Sequence, residues 1–171
     1  MLEADEFGWF PLHYASHFGH VKFVEQILEK NISLAYIKDR EGMSALHISA
    51  KEGHIDVIKT FIAKCPETCE LLDNRARTAL HIAAESGQIN AVKIFLETLA
   101  FQDLINEQDK DGNTPFHLAA IKGHSKLLMM LADDSRIAWM AMDKAGMSTV
   151  DIIQSDIQLQ FEDKVSTINL K

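Results

Sequence analysis

The sequence predicts an all-α solenoid in which one short helix-turn-helix unit is used five times. The phrase Leu-His-Tyr-Ala-Ser-His-Phe-Gly-His at Leu12–His20 returns at Leu46–His54, Leu80–Gln88 and Phe116–His124, at spacings of 34, 34 and 36 residues. An aspartate stands at a near-constant offset ahead of each copy, at Asp5, Asp39, Asp73 and Asp109, and Asp143 opens a degenerate fifth. A period this short, sustained along the chain, marks units that must stack to bury their apolar faces. The expected organisation is a single domain over 1–171, with units at 5–38, 39–72, 73–108, 109–142 and 143–171.

Each unit reads as a fixed order of elements. A turn comes first, as in Asp39-Arg40-Glu41-Gly42 and Asp109-Lys110-Asp111-Gly112, with a glycine able to take positive φ. Ser44, Thr78, Thr114 and Ser148 then stand where a hydroxyl caps a helix, and Pro115 and Pro11 suit its first position. That helix ends about two turns later at Gly19, Gly53, Gly87 or Gly123. The second helix carries the larger apolar residues: Val24 and Leu28, then Ile58 and Phe61, then Val92, Phe95 and Leu96. Small residues on the first helix, such as Ala15, Ala50 and Ala84, let neighbours approach closely.

The bulk properties exclude several function classes. Lys and Arg total 17 against 25 Asp and Glu, a net charge of -8, so phosphate-driven nucleic-acid binding has no electrostatic footprint. No apolar run approaches the length that spans a bilayer, Leu127–Ala132 being among the longest. The opening Met-Leu-Glu-Ala-Asp-Glu is acidic where a secretory signal is basic. A soluble, cytoplasmic monomer is expected. Cys65 and Cys69, flanking Pro66-Glu67-Thr68, read as reduced thiols near a helix end, with no further ligands to make a zinc site.

The pattern Asp-x-x-Gly-x-Thr-Pro-Leu-His-x-Ala-Ala-x-x-Gly-His, which Asp109–His124 matches with only Phe116 in place of Leu, resembles the ankyrin repeat over about residues 5 to 153. The resemblance implies an L-shaped stack of helix pairs with short β-hairpin fingers. It also implies that the first repeated histidine bonds to the capping hydroxyl and to the adjoining finger. A finer resemblance is to plant ankyrin membrane proteins of the accelerated-cell-death type, carried by Phe7–Ala15, Pro66–Arg75, Arg77–His81 and Asp111–Ala120. Members of that group carry their repeats on the cytosolic side of a C-terminal bundle of membrane helices and act in defence and cell-death signalling. This sequence contains no such helices, so a fragment of a longer protein, a short gene product or an engineered soluble piece is expected.

Departures from the pattern are informative. Phe10 replaces the capping Ser or Thr, a loss of about 1 kcal/mol. Ala76 replaces the finger glycine, so that finger is either strained or turns differently. Gln88 replaces histidine, and two extra residues fall around Leu99–Gln108. In the fifth copy Asp151 replaces histidine, and Ile157, Leu159, Phe161, Val165, Ile168 and Leu170 predict a closing C-terminal helix.

Eight histidines invite a catalytic or metal reading, but seven occupy two repeated positions: His13, His47, His81 and His117, then His20, His54 and His124. His17 lies four residues after His13, with neither an intervening glutamate nor a third ligand. There is no nucleophile elbow and no phosphate loop. No enzyme activity, cofactor or metal is expected.

What remains is a surface. By the phase of the repeat, finger residues and the ends of the first helices align into one concave stripe. Its candidate partner-binding residues are Phe7, Trp9, Phe18, Arg40, Met43, Arg75, Arg77, Asn113 and Ile121, beside charged neighbours such as Glu6, Glu41 and Lys51. This mixture suits a protein partner, because aromatic and arginine anchors dominate interface energetics. Phe7, Trp9 and Phe18 have a second reading, as interior surface that a preceding unit would cover.

Overall fold

The computed structural model describes residues 4–155. Its first-layer helices are α1 (Pro11–His17), α3 (Ala45–Glu52), α5 (Ala79–Glu85) and α7 (Pro115–Ile121). The second layer is formed by α2 (Val21–Lys30), α4 (Ile55–Lys64), α6 (Ile89–Glu97) and α8 (Ser125–Leu131). Along the array α1 packs on α3, α3 on α5 and α5 on α7, while α2, α4 and α6 form the parallel outer row. A further helical stretch over 149–155 begins the fifth unit, and the expected closing helix over 157–170 lies outside the described residues.

The core is the strip that the repeat requires. Leu12, Leu46, Leu80 and Phe116 hold one position and are all buried, as are Val24, Ile58 and Val92 of the outer row. Each deeply buried leucine or isoleucine contributes roughly 1.5–3 kcal/mol of apolar transfer, and part of its contact surface belongs to the next unit. Stability is therefore shared across unit boundaries.

First helices stop where they do for two reasons. Gly19 and Gly87 take φ of +69° and +68°, and the ring of the next unit's histidine sits 2.7–2.8 Å from where a Cβ would be. A side chain there would be strained and would also collide with that ring.

The two extra residues of the third unit fall in the connection to the fourth finger. There a 3-10 helix over Leu99–Leu104 runs six residues, against five for those over Ile32–Tyr36 and Pro66–Glu70. It buries Phe101 against Phe95, with ring centroids 4.3 Å apart. Cys65 and Cys69 are buried and unpaired beside the middle 3-10 helix, and burial pushes the Cys69 thiol up to about 12.

The fingers differ from the short β-hairpins expected. Among the described residues they form only isolated antiparallel bridges, Lys38 with Ser44 and Met142 with Ser148. The ladder stops at Ser44 because α3 begins at Ala45, and within the turn the aspartate Oδ1 accepts two backbone N–H groups. Asp39 takes them from Glu41 at 2.9 Å and Met43 at 2.8 Å, and Asp73, Asp109 and Asp143 repeat the arrangement. Fingers are joined by one backbone bond per step, from the N–H of Arg40, Asn74, Lys110 and Lys144 to the carbonyl of Phe7, Glu41, Arg75 and Asp111.

Candidate functional site

The repeated histidines are structural pins. In the second unit the Ser44 N–H and hydroxyl both donate to His47 Nδ1, at 3.2 and 2.8 Å, and His47 Nε2–H donates to the Arg77 carbonyl at 3.0 Å. His81 does the same between Thr78 and the Asn113 carbonyl, and His117 between Thr114 and the Met147 carbonyl. This geometry needs a neutral ring, and burial holds His47 and His81 down to about 4. These imidazoles are committed to the stack and are not available for proton transfer on a substrate.

A second set of pins runs the other way. His54 bonds back to the His17 carbonyl and His124 to the Glu85 carbonyl, both at 2.8 Å. Gln88, at the same place, donates through Nε2 to the Lys51 carbonyl at 2.9 Å, so the substitution preserves the bond. In the fifth unit Asp151 accepts from the Ser148 N–H and hydroxyl and so retains the capping half of the histidine's work. It has no N–H with which to pin a following finger.

Ala76 adopts φ of +60°, so its finger keeps the common turn and carries the strain of a Cβ there. Its N–H donates to the Asp73 carbonyl at 3.0 Å, as Gly42 does to Asp39. Phe10 supplies no hydroxyl. Its backbone N–H donates to His13 Nδ1 at 3.0 Å, but the buried His13 Nε2 has no hydrogen-bond partner among the described residues.

Against this frame, five of the nine candidate residues come together. Phe7, Trp9, Phe18, Arg40 and Met43 line one groove of about 700 Å³ between the fingers and first helices of the first and second units. Tyr14, His17, Asp39 and Lys51 complete it, beside Glu6 and Glu41. Its aromatic wall is fixed from behind. Trp9 Nε1 donates to Asp39 Oδ2 at 3.1 Å, and the Tyr14 hydroxyl donates to Asp5 Oδ2 at 2.5 Å, which holds the Asp5 carboxyl below its usual range. The Trp9 and Tyr14 rings meet edge to face at 5.0 Å. Phe7 and Phe18 stand proud of this wall, 61% and 59% exposed.

The other candidates lie further along. Arg75 is exposed and reaches Asp111 at 3.4 Å, and Ile121 is exposed at the end of α7. Three placements depart from the open stripe expected: Met43, Arg77 and Asn113 are buried. All three stand four residues after a finger aspartate, and the Arg77 and Asn113 side chains fold back onto their own turns. Arg77 reaches Asp73 Oδ2 at 2.7 Å and Glu85 at 2.6 Å, and Asn113 donates to Asp109 Oδ2 at 3.4 Å. Burial raises the Asp73 carboxyl, but the bonds it accepts from Arg77 outweigh this and keep it low.

Sequence reasoning missed Tyr14 and Asp39. Tyr14 occupies a position held by Ile48, Ile82 and Leu118 elsewhere, and that exchange of an aliphatic for a phenol was the available signal. His17 Nδ1 lies 3.2 Å from Glu52 Oε1 of the second unit. Among the described residues no three His, Cys, Asp or Glu side chains gather to hold a metal ion.

A family model for ankyrin repeats (3 copies) matches residues 1–71 and again 58–143. The chain belongs to the ankyrin repeat family, whose members generally serve as protein–protein interaction modules and are typically non-catalytic. A comparison with curated proteins found no match. No helix of the described residues is long and apolar enough to cross a membrane.

Proposed function

We propose that this chain is a non-catalytic scaffold that binds a protein partner through its concave side, with the groove between the first two units as the anchor point. The observation that carries this reading is where the large aromatics stand. The positions of Phe7 and Phe18 are occupied in the second unit by Glu41 and Glu52, and in the fourth by Asp111 and Lys122. Of these, Glu41, Asp111 and Lys122 are exposed and Glu52 is half-buried, although each has a unit ahead of it. Stacking a unit ahead of the first would therefore leave Phe7 and Phe18 open. Two phenylalanines at solvent-facing positions, over a braced Trp9, are what a hot spot requires. Arg40 and Lys51 at the rim add specificity through charge.

The test is a pull-down with wild type and with a Phe7→Ala, Phe18→Ala, Arg40→Ala variant that retains its helical spectrum. Loss of a saturable partner from the variant is expected, and equal recovery of every partner would refute the groove.

The finer resemblance supports a second reading: a cytosolic regulatory domain of a plant membrane ankyrin protein in defence or cell-death signalling. Its support is the four phrases at Phe7–Ala15, Pro66–Arg75, Arg77–His81 and Asp111–Ala120. A transcript encoding several membrane helices downstream would select it, and a transcript without them would remove it.

A further inference from the structure

The first unit presents a second surface, at the end of the array. In the second to fourth units one inner-helix position, Ile48, Ile82 and Leu118, and one outer-helix position, Val57, Ala91 and Leu127, are buried. The helices that carry them pack on the helices of the unit ahead, α3 on α1, α5 on α3 and α7 on α5 in the inner row, and α4 on α2 and α6 on α4 in the outer. Their counterparts in the first unit are Tyr14, 40% exposed, and Phe23, 48% exposed. Polar groups continue in the same register. His54, Gln88 and His124 each bond to a carbonyl at the end of the preceding first helix, and His20 stands exposed at that place. The N–H groups that donate to the preceding finger, from Arg40, Asn74, Lys110 and Lys144, have the Glu6 N–H as their counterpart.

We infer that this end face docks a further helix pair of the ankyrin type, in register ahead of the first unit. The occupant brings an apolar face to Phe23 and Tyr14, the terminal carbonyl of its first helix to His20, and a finger carbonyl to the Glu6 N–H. The chemistry argues against a second copy of this chain. Face to face, two copies set donor against donor. Head to tail, the fifth unit offers Asp151 where a histidine Nε2–H should pin the next finger. The interface is instead a continuation of the one already formed three times within the array, with the same positions and the same bonds.

The test joins a generic ankyrin unit ahead of Asp5 at the array's own spacing and compares melting points. The joined chain is expected to melt roughly 4 °C or more above the original. Phe23→Lys and, separately, His20→Ala should lower the melting point of the joined chain at least twice as far as that of the original, where both side chains are open to water. His20→Ala leaves the apolar face untouched and guards against a general folding failure. An unchanged melting point on joining, or equal losses in both backgrounds, would overturn the inference. So would sedimentation showing that the original chain dimerises in a manner abolished by Phe23→Lys, since the occupant would then be a second copy. Tyr14 belongs to both surfaces, but Phe23 and His20 lie outside the groove, so failure here is distinguishable from failure of the pull-down on Phe7, Phe18 and Arg40.

Discussion

In the third unit Thr78 caps α5, His81 is satisfied on both ring nitrogens, and Arg77 folds onto Asp73 and Glu85. In the first unit Phe10 holds the capping place, His13 Nε2 has no partner among the described residues, and the residue equivalent to Arg77 is Trp9, which reaches across to Asp39 of the next unit. The two units share one backbone plan but use it differently. The third applies its polar side chains to closing its own finger and fixing its neighbours. The first directs aromatic side chains outward and draws on the second unit to hold them. This borrowing is possible because Met43, at the equivalent place in the second unit, makes no demand on Asp39 Oδ2. If the groove binds a partner as proposed, recognition and stability compete for one position in the repeat, resolved differently at the end and in the middle.

The largest test of the difference is pH. His47 and His81 sit neutral, held down to about 4, while in the unfolded chain they titrate near 6.5. Between those values the unfolded chain binds protons first, so stability falls as pH falls from about 6.5 and the loss levels off below about 4. Each ring contributes on the order of 3 kcal/mol across that window. Burial also lowers the pKa of His13, so the first unit adds to the loss in the same direction. Denaturant midpoints measured from pH 7 to pH 4 check this, and a flat profile would contradict the buried neutral pins.

A smaller effect separates the two finger arginines. Arg77→Ala strips Asp73 and Glu85 of a buried partner and should cost about 2–3 kcal/mol. Arg75→Ala removes only an exposed pair with Asp111 and should change stability by less than about 1 kcal/mol. Equal costs would mean that Arg77 does not fold back. Smaller still are two repairs toward the common plan. Phe10→Thr restores the cap and should add about 1 kcal/mol. Ala76→Gly relieves the positive φ and should add roughly 0.5–1 kcal/mol. Thermal melts read both, and a lower melting point for either would remove the corresponding strain from the account.

Most of the fold was legible because it is periodic: the helices, caps, glycine stops and buried strip follow from residues that recur in phase. The departures were legible too, since each breaks a pattern seen elsewhere. Ala76 does sit at positive φ, Phe10 does lack a side-chain cap, and the extra residues do lie outside the α-helices, in the connection that holds the third 3-10 helix. The groove was only partly legible. Phase assigns Met43, Arg77 and Asn113 to the same stripe as Phe7 and Arg40, but it does not reveal that Arg77 and Asn113 reach the free carboxylate oxygen of their own turns. That outcome depends on side-chain length and donor chemistry. Tyr14 and Asp39 escaped notice because they support the groove from behind, a role that spacing does not mark.

The central claim is that each unit is held by its neighbours, so the pinned middle should be the last part to open and the first unit the earliest. Native-state hydrogen exchange resolved by helix measures this directly. The account predicts that amides of α1 and α2 exchange through a local opening of lower free energy, while those of α3 to α6 exchange only with global unfolding. Uniform protection along the array, or earlier exchange in α5 than in α1, would contradict it.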